Sequence, residues 1–174
     1  FSWEKFKSAN IEVPNIRYLD NGAIFARDLA PKVKDVNSLP SPYKSGLLDK
    51  FFDKVLIPMV QTTRGCPYTC AFCWEGGKYF SKISRFTQDR IEYDLRYIAS
   101  KVKAPDLCIV DANFGMFKED LETTREIVAL QKKYEWPKTV LTATAKNHKE
   151  RTIEIVEMLG DTLPPTAAVQ STDD

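Results

Sequence analysis

Met59-Val-Gln-Thr-Thr63 runs straight into Arg64-Gly-Cys-Pro-Tyr-Thr-Cys-Ala-Phe-Cys-Trp-Glu-Gly-Gly77. The first five residues mix apolar and β-branched side chains, which suits a short strand. The segment after them holds Cys66, Cys70 and Cys73 in a Cys-x3-Cys-x2-Cys spacing. Gly65 and Pro67 keep it out of regular helix, so it is free to wrap around an object. Further on, Thr87 stands where it can cap a helix in which Ile91, Leu95, Ile98 and Val102 recur at helical spacing. Strand, loop and helix in this order open a βα unit.

Downstream the alternation repeats. Leu107–Val110 reads as a buried strand. Residues 118–134 read as a helix with an apolar stripe of Leu121, Ile127, Val128, Leu130 and Tyr134. Thr139–Ala143 is apolar and β-branched, hence a strand. Lys149–Leu159 is a helix carrying Ile153, Val156 and Leu159, with Gly160 placed to stop it. Ala167–Gln170 is a final strand candidate. The order β-α-β-α-β-α-β predicts an α/β fold with right-handed crossovers and a parallel sheet. A closed eight-stranded barrel needs ~250 residues, so the 174 residues here predict part of a (β/α) TIM-type barrel.

Upstream the texture changes. Pro14, Pro31, Pro40, Pro42 and Pro58 are half of the chain's ten prolines, and each pushes its predecessor out of helical conformation. Asn21-Gly22, between Ile16–Leu19 and Ala23–Ala26, is a hairpin turn signal because both central residues need positive φ. Residues 1–54 are therefore expected to form a small hairpin and an extended linker, and residues 55–174 the N-terminal part of the core domain. The chain begins with Phe1 rather than Met, which suggests a fragment.

Composition places the chain among ordinary globular proteins, with 43% hydrophobic and 28% charged residues. A net charge of +1 gives no electrostatic reason to expect a nucleic-acid or membrane partner. No apolar run approaches the roughly 20 residues that span a bilayer. Of the four cysteines, three cluster and Cys108 stands apart, unlike the spread of a secreted disulfide scaffold. Clustering reads better as a metal or cluster site in a reducing compartment, so a cytoplasmic location is expected.

Cys70 and Cys73, three apart, can face the same way across one tight turn. Three thiolates on one loop can each take one iron of a [4Fe–4S] cubane, which ordinarily has four cysteine ligands. The fourth iron would keep an open coordination position. Structural zinc is the competing reading; it needs a fourth ligand, and Cys108 or His148, the only histidine, would have to supply it.

The loop resembles the signature of the radical S-adenosylmethionine (SAM) enzymes, Cys-x3-Cys-x-aromatic-Cys, with Phe72 as the aromatic residue. The resemblance covers nearly the whole chain. Ile16-Arg-Tyr-Leu-Asp-Asn-Gly-Ala-Ile24, Val36-Asn-Ser-Leu-Pro-Ser-Pro-Tyr43 and Thr63-Arg-Gly-Cys66 are similar to the linker region of the radical SAM enzymes that carry a cobalamin (B12)-binding domain. It implies that SAM chelates the open iron and that the reduced cluster cleaves it to methionine and a 5′-deoxyadenosyl radical. It also implies an electron donor such as flavodoxin or ferredoxin, and a cobalamin-binding domain upstream. No Asp-x-His-x-x-Gly cobalamin motif occurs here.

Under the same resemblance Phe72 flanks the adenine, with a core aromatic as the alternative. Asp111-Ala-Asn-Phe-Gly115, at the end of the second strand, resembles a segment of the cobalamin-associated group and stands where many relatives carry a Gly-Gly-Glu run. Asp111, Asn113 and Gly115 are candidate SAM contacts; the alternative is a turn in which Asp111 and Asn113 bond their own backbone. Thr144, Gln170 and Ser171 resemble positions lining the SAM ribose and methionine. Arg85 resembles an arginine placed before the first helix, where an ordinary flanking charge fits equally. Gly76-Gly77 allow close backbone approach. The reading is a transferase or rearrangement catalyst of the cobalamin-associated group with an unknown substrate. A methylthiotransferase and a non-catalytic Fe–S or zinc interaction module are the alternatives.

Overall fold

The computed structural model describes residues 14–28, 30–31 and 33–164. The predicted strand Ala167–Gln170, and with it Gln170 and Ser171 as site candidates, lie outside the described residues. The chain divides into two compact units, Phe1–Lys34 and Asp35–Asp174.

The first unit contains the predicted hairpin. β1 (Arg17–Asp20) and β2 (Ala23–Ala26) pair antiparallel from Arg17↔Ala26 to Asp20↔Ala23. Asn21 (φ 49°) and Gly22 (φ 80°) make the two-residue turn, whose twist matches that of the flanking strands. Tyr18 and Phe25 stack across the pair with ring centroids 5.2 Å apart.

In the second unit, β3 (Met59–Val60), β6 (Asp106–Phe114) and β7 (Thr139–Thr144) form a parallel sheet with β6 in the centre. A separate antiparallel pair joins β4 (Thr63–Arg64) to β5 (Ser84–Arg85). The helices α1 (Gln88–Lys101), α2 (Glu119–Tyr134) and α3 (Lys149–Leu159) follow β5, β6 and β7 in turn. The α/β order and the parallel sheet are those expected. Among the described residues the sheet has three strands and does not close into a barrel.

The core forms where the periodicities meet. Ile91, Leu95 and Ile98 line one side of α1, and Leu107, Ile109 and Val140 one side of the sheet; with Ile127 and Ile155 they are buried in a single cluster. Full burial of each such side chain contributes about 1.5–3 kcal/mol. On the other side of the sheet Met59, Cys108 and Leu141 stand in one register row. Met59 and Leu141 are exposed there, as is Val110. Thr87 occupies the position before α1, yet its hydroxyl makes no capping bond. Its backbone N–H donates instead to Asn37 Oδ1 at 2.8 Å. Gly160 ends α3 with φ 52°.

Residues 35–54, which the sequence reading joins to the hairpin, lie in the second unit. They hold short 3-10 turns at Val36–Ser38 and Asp49–Phe51 and run along α1. Ser41 Oγ donates to Asp94 Oδ1 (2.5 Å), Arg90 donates to Leu39 O (2.5 Å), and Lys101 pairs with Asp49 (2.6 Å). Tyr43 donates its hydroxyl to Met59 O and stacks on Phe52, centroids 6.2 Å apart. The segment is thus a run of tight turns tied to α1 and β3.

Candidate functional site

The three clustered cysteines sit on a loop closed at its neck. The β4–β5 pairing sets Thr63 opposite Arg85 and Arg64 opposite Ser84, and the Cys66 N–H donates to Phe80 O at 2.9 Å. Gly65 bridges this neck with φ 100°; a Cβ there would stand 2.7 Å from the carbonyl oxygens of both Phe80 and Lys82. Inside the loop, Cys73 N donates to Cys70 O (3.1 Å), Gly76 N to Cys73 O (3.0 Å) and Phe80 N to Gly77 O (2.9 Å), a run of tight turns. Gly76 passes so close to Cys70 that a Cβ would lie 2.3 Å from its carbonyl oxygen. Loops this long with closed ends are commonly functional.

Backbone contacts therefore shape the loop and leave most of its side chains exposed between Ala71 and Trp74. Phe72 is 74% and Trp74 85% exposed, so Phe72 is not a core aromatic. All four cysteines are free; Cys66 is buried, Cys70 half-buried and Cys73 exposed. Among the described residues no three Cys, His, Asp or Glu side chains are gathered closely enough to hold a metal ion. The donor chemistry nonetheless fits a cluster: three unpaired thiols on one loop, the innermost already met by a hydrogen-bond donor.

That donor is Asn113. Its Nδ2 lies 3.2 Å from Cys66 Sγ, with both groups buried. Because the sheet is parallel, the C-terminal ends of β3, β6 and β7 share one edge, and Asn113 lies at the end of β6. At the neighbouring strand end, Asn147 donates to the hydroxyl of Tyr68, within the loop, at 2.6 Å. The cysteine loop thus spans this edge from β6 to the turn after β7. Cys108 lies five residues before Asn113, roughly 16 Å back along the strand at 3.3 Å per residue, and burial pushes its thiol pKa up. His148 is exposed at the start of α3. Among the described residues neither is gathered with the loop cysteines into a group that could hold a metal ion.

Asp111 does something the sequence did not suggest. Its Oδ1 accepts from the N–H of Thr62 (2.8 Å) and of Thr63 (3.2 Å), and its Oδ2 accepts from Thr63 N–H (3.1 Å) and the Thr62 hydroxyl. It bonds the backbone of the β3–β4 link, not its own turn. Burial raises its pKa, the Asp120 charge adds to the rise, and the hydrogen bonds from Thr62 and Thr63 oppose it. Arg85 extends the network: its Nη1 donates to Thr63 Oγ1 (2.8 Å) and to Asp120 Oδ1 (2.7 Å). Asp120 Oδ2 in turn accepts from the N–H of Gly115 (2.8 Å) and of Phe117 (3.0 Å). Arg85 is thus more than a flanking charge, and Gly115 is fixed through its backbone. Thr144 closes β7 opposite Phe114.

Asp120, Thr62 and Thr63 escaped the sequence reading. Asp120 shares the first turn of its helix with Glu119 and Glu122, where acidic residues ordinarily serve only to favour a helix N-terminus. Among the buried polar atoms with no hydrogen-bond partner among the described residues, Asn113 Oδ1 lies at this edge, on the side chain that meets Cys66. Buried polar groups are normally satisfied, so a polar ligand matches this edge. Among the described residues no helix is long and apolar enough to cross a membrane.

No family model matches the chain. It is similar to the 2-(S-pantetheinyl)-carbapenam-3-carboxylate methyltransferase of Streptantibioticus cattleyicolor, with 33% identity over 143 residues, 77% of this chain and 21% of that protein. It is also similar to the cobalamin-dependent radical SAM methyltransferase TokK of Streptomyces tokunonensis, with 30% identity over 162 residues, 83% of this chain and 23% of that protein. The chain thus spans only about a fifth of the length of these curated relatives.

Proposed function

This chain belongs to the cobalamin-associated radical SAM enzymes, and from that premise we propose that Cys66, Cys70 and Cys73 hold a [4Fe–4S] cluster at which SAM binds. The observation that carries the reading is the pinned loop of three free thiols lying across the C-terminal edge of a parallel sheet, the edge where such folds place their active sites. When bound, the cluster supplies the electron for reductive cleavage of SAM, for methylation or rearrangement of a substrate in concert with cobalamin held by an upstream domain.

The chain's own residues would bind and orient. The Gly65 neck and the Gly76 approach hold the loop in its turns. Asp111, spent on Thr62 and Thr63, keeps the strand end and the loop neck together, and Asp120 ties Arg85 to the backbone at Gly115. Phe72, exposed beside Cys73, is free to cover the SAM adenine. Asn113 Oδ1 and Thr144 stand along the edge to meet its polar groups, with Gln170 and Ser171 assigned to the same task, while Gly115 shapes the edge through backbone bonds to Asp120 and Arg151. The sheet is read as the opening part of a (β/α) barrel. An electron donor such as flavodoxin or ferredoxin would approach the exposed side of the loop.

Anaerobic reconstitution with iron and sulfide tests this. The expected result is about four irons per chain and SAM-dependent release of 5′-deoxyadenosine on reduction. Unchanged iron content after replacing all three loop cysteines, or uptake of a single tetrahedral zinc in their place, would overturn it.

A further inference from the structure

Asn113 is the one side chain among the described residues whose donor reaches a loop cysteine sulfur. It is 6% exposed, and Cys66 is 8% exposed. Two features of the strand put it there. Along β6 the buried positions alternate through Leu107, Ile109, Asp111 and Asn113, after which Phe114 is buried too. The register against β7 shifts between Ile109 and Phe114. Such irregularities re-aim side chains next to sites, and here Asn113 faces the loop while Phe114 fills the core. The backbone is held as well: Met116 N donates to Asn113 O at 3.2 Å, and Ala145 N to Phe114 O at 2.8 Å.

The chemistry selects the amide. A ligating cysteine is a thiolate, which has no proton and only accepts. An asparagine carries two N–H donors on one end of its side chain, and that end faces Cys66 Sγ. Hydrogen bonds to cluster sulfurs, and the burial around them, are among the levers that set Fe–S potentials. A donor withdraws electron density from the sulfur and so favours the reduced, more negative cluster. Among the described residues no side-chain donor reaches Cys70 or Cys73, so the effect falls on one corner.

Resting on the cluster reading above, we propose that Asn113 is a positioning residue that acts through Cys66: its N–H···S bond orients this ligand and raises the reduction potential of the cluster. The role is distinct from contact with SAM. It places the end of β6 in control of how readily the cluster accepts its electron.

The test is an EPR-monitored redox titration of the full-length reconstituted protein, wild type against Asn113→Leu, which keeps the size and removes the donor. Iron content is measured on the same samples. The expected result is a full cluster with a lower midpoint potential in the variant. A full cluster with an unchanged midpoint overturns the proposal and leaves the cluster reading standing. Wild-type protein that takes up no iron sinks both. Should the leucine variant fail to fold, wild-type protein carrying 15N at the asparagine side-chain nitrogen decides the matter. Hyperfine spectroscopy of its reduced cluster should show a 15N coupling, and absence of that coupling overturns the proposal.

Discussion

Between Cys66 and Phe80, Phe72 and Trp74 turn most of their surface to solvent, and the loop is held mainly by backbone hydrogen bonds, with side-chain bonds at Tyr68 and Cys66. Between Leu95 and Ile109, in the same unit, Leu95, Ile98 and Leu107 are 0% exposed and the holding force is apolar burial. The two stretches are neighbours in sequence and opposite in construction. A loop shaped by glycines and peptide hydrogen bonds keeps its side chains available to a ligand, whereas the sheet and helices use theirs up on each other. Changes in the loop should therefore alter what is bound, and changes in the scaffold should alter whether the fold stands. Between them lies the Asp111–Thr62–Arg85–Asp120 network, which joins scaffold to loop neck.

The sharpest way to break this contrast is at the cysteines. Cys66→Ala, Cys70→Ala or Cys73→Ala should each abolish the reconstituted cluster, read as iron content and visible absorbance, while the far-UV circular dichroism stays as in wild type. Cys108→Ala should retain full iron; loss of the cluster there would move the ligand set onto the sheet and erase the distinction.

Next in size is Asp120→Ala. It removes the acceptor of two backbone N–H groups and leaves Arg85 without its partner at a half-buried site. Breaking such a pair costs about 3–5 kcal/mol, measurable by urea unfolding. A loss below 1 kcal/mol would mean that the network does not join the two regions.

Tyr43 offers a smaller effect at the rim of the scaffold. Burial pushes its pKa up from 10.0 to about 12, and the nearby Asp94 charge adds to the rise. In that interval the unfolded chain releases the phenolic proton while the folded one keeps it, so stability falls as pH rises. The contribution is intact below pH 10 and lost toward pH 12. Tyr43→Phe should cost about 1 kcal/mol at neutral pH through the lost hydrogen bond and flatten the alkaline slope in thermal melts. An equally steep slope in the variant would assign it to other groups.

The smallest effect belongs to Trp74, 85% exposed within the loop. Trp74→Ala should change unfolding free energy by about 0.5 kcal/mol or less, as surface substitutions do. A larger loss would show that the loop aromatics support the fold after all.

Much of this molecule is readable in one dimension. Helices at 88–101 and 149–159 and the strand at 139–144 follow from apolar spacing and a stop at Gly160, because amphipathic periodicity states which side of an element is buried. The hairpin follows from Asn21-Gly22, a local requirement on φ. The cysteine spacing, too, is complete within one loop. Each of these signals is written in residues near to one another.

What spacing could not convey is how distant groups are brought together. Asp111 serves Thr62 and Thr63 across 48–49 positions, and Arg85 meets Asp120 across 35. Residues 35–54 look like a loose linker until Ser41, Asp49 and Tyr43 are seen against α1 and β3. Asn113 reads as either a SAM contact or a turn residue until the packed strands, with their register shift between β6 and β7, set it against Cys66. Local preference acts over a few bonds, so the chain carries it in its order. Satisfying a buried charge or a thiol depends on which groups the packed core delivers to the same place, and that is settled only when the strands have paired.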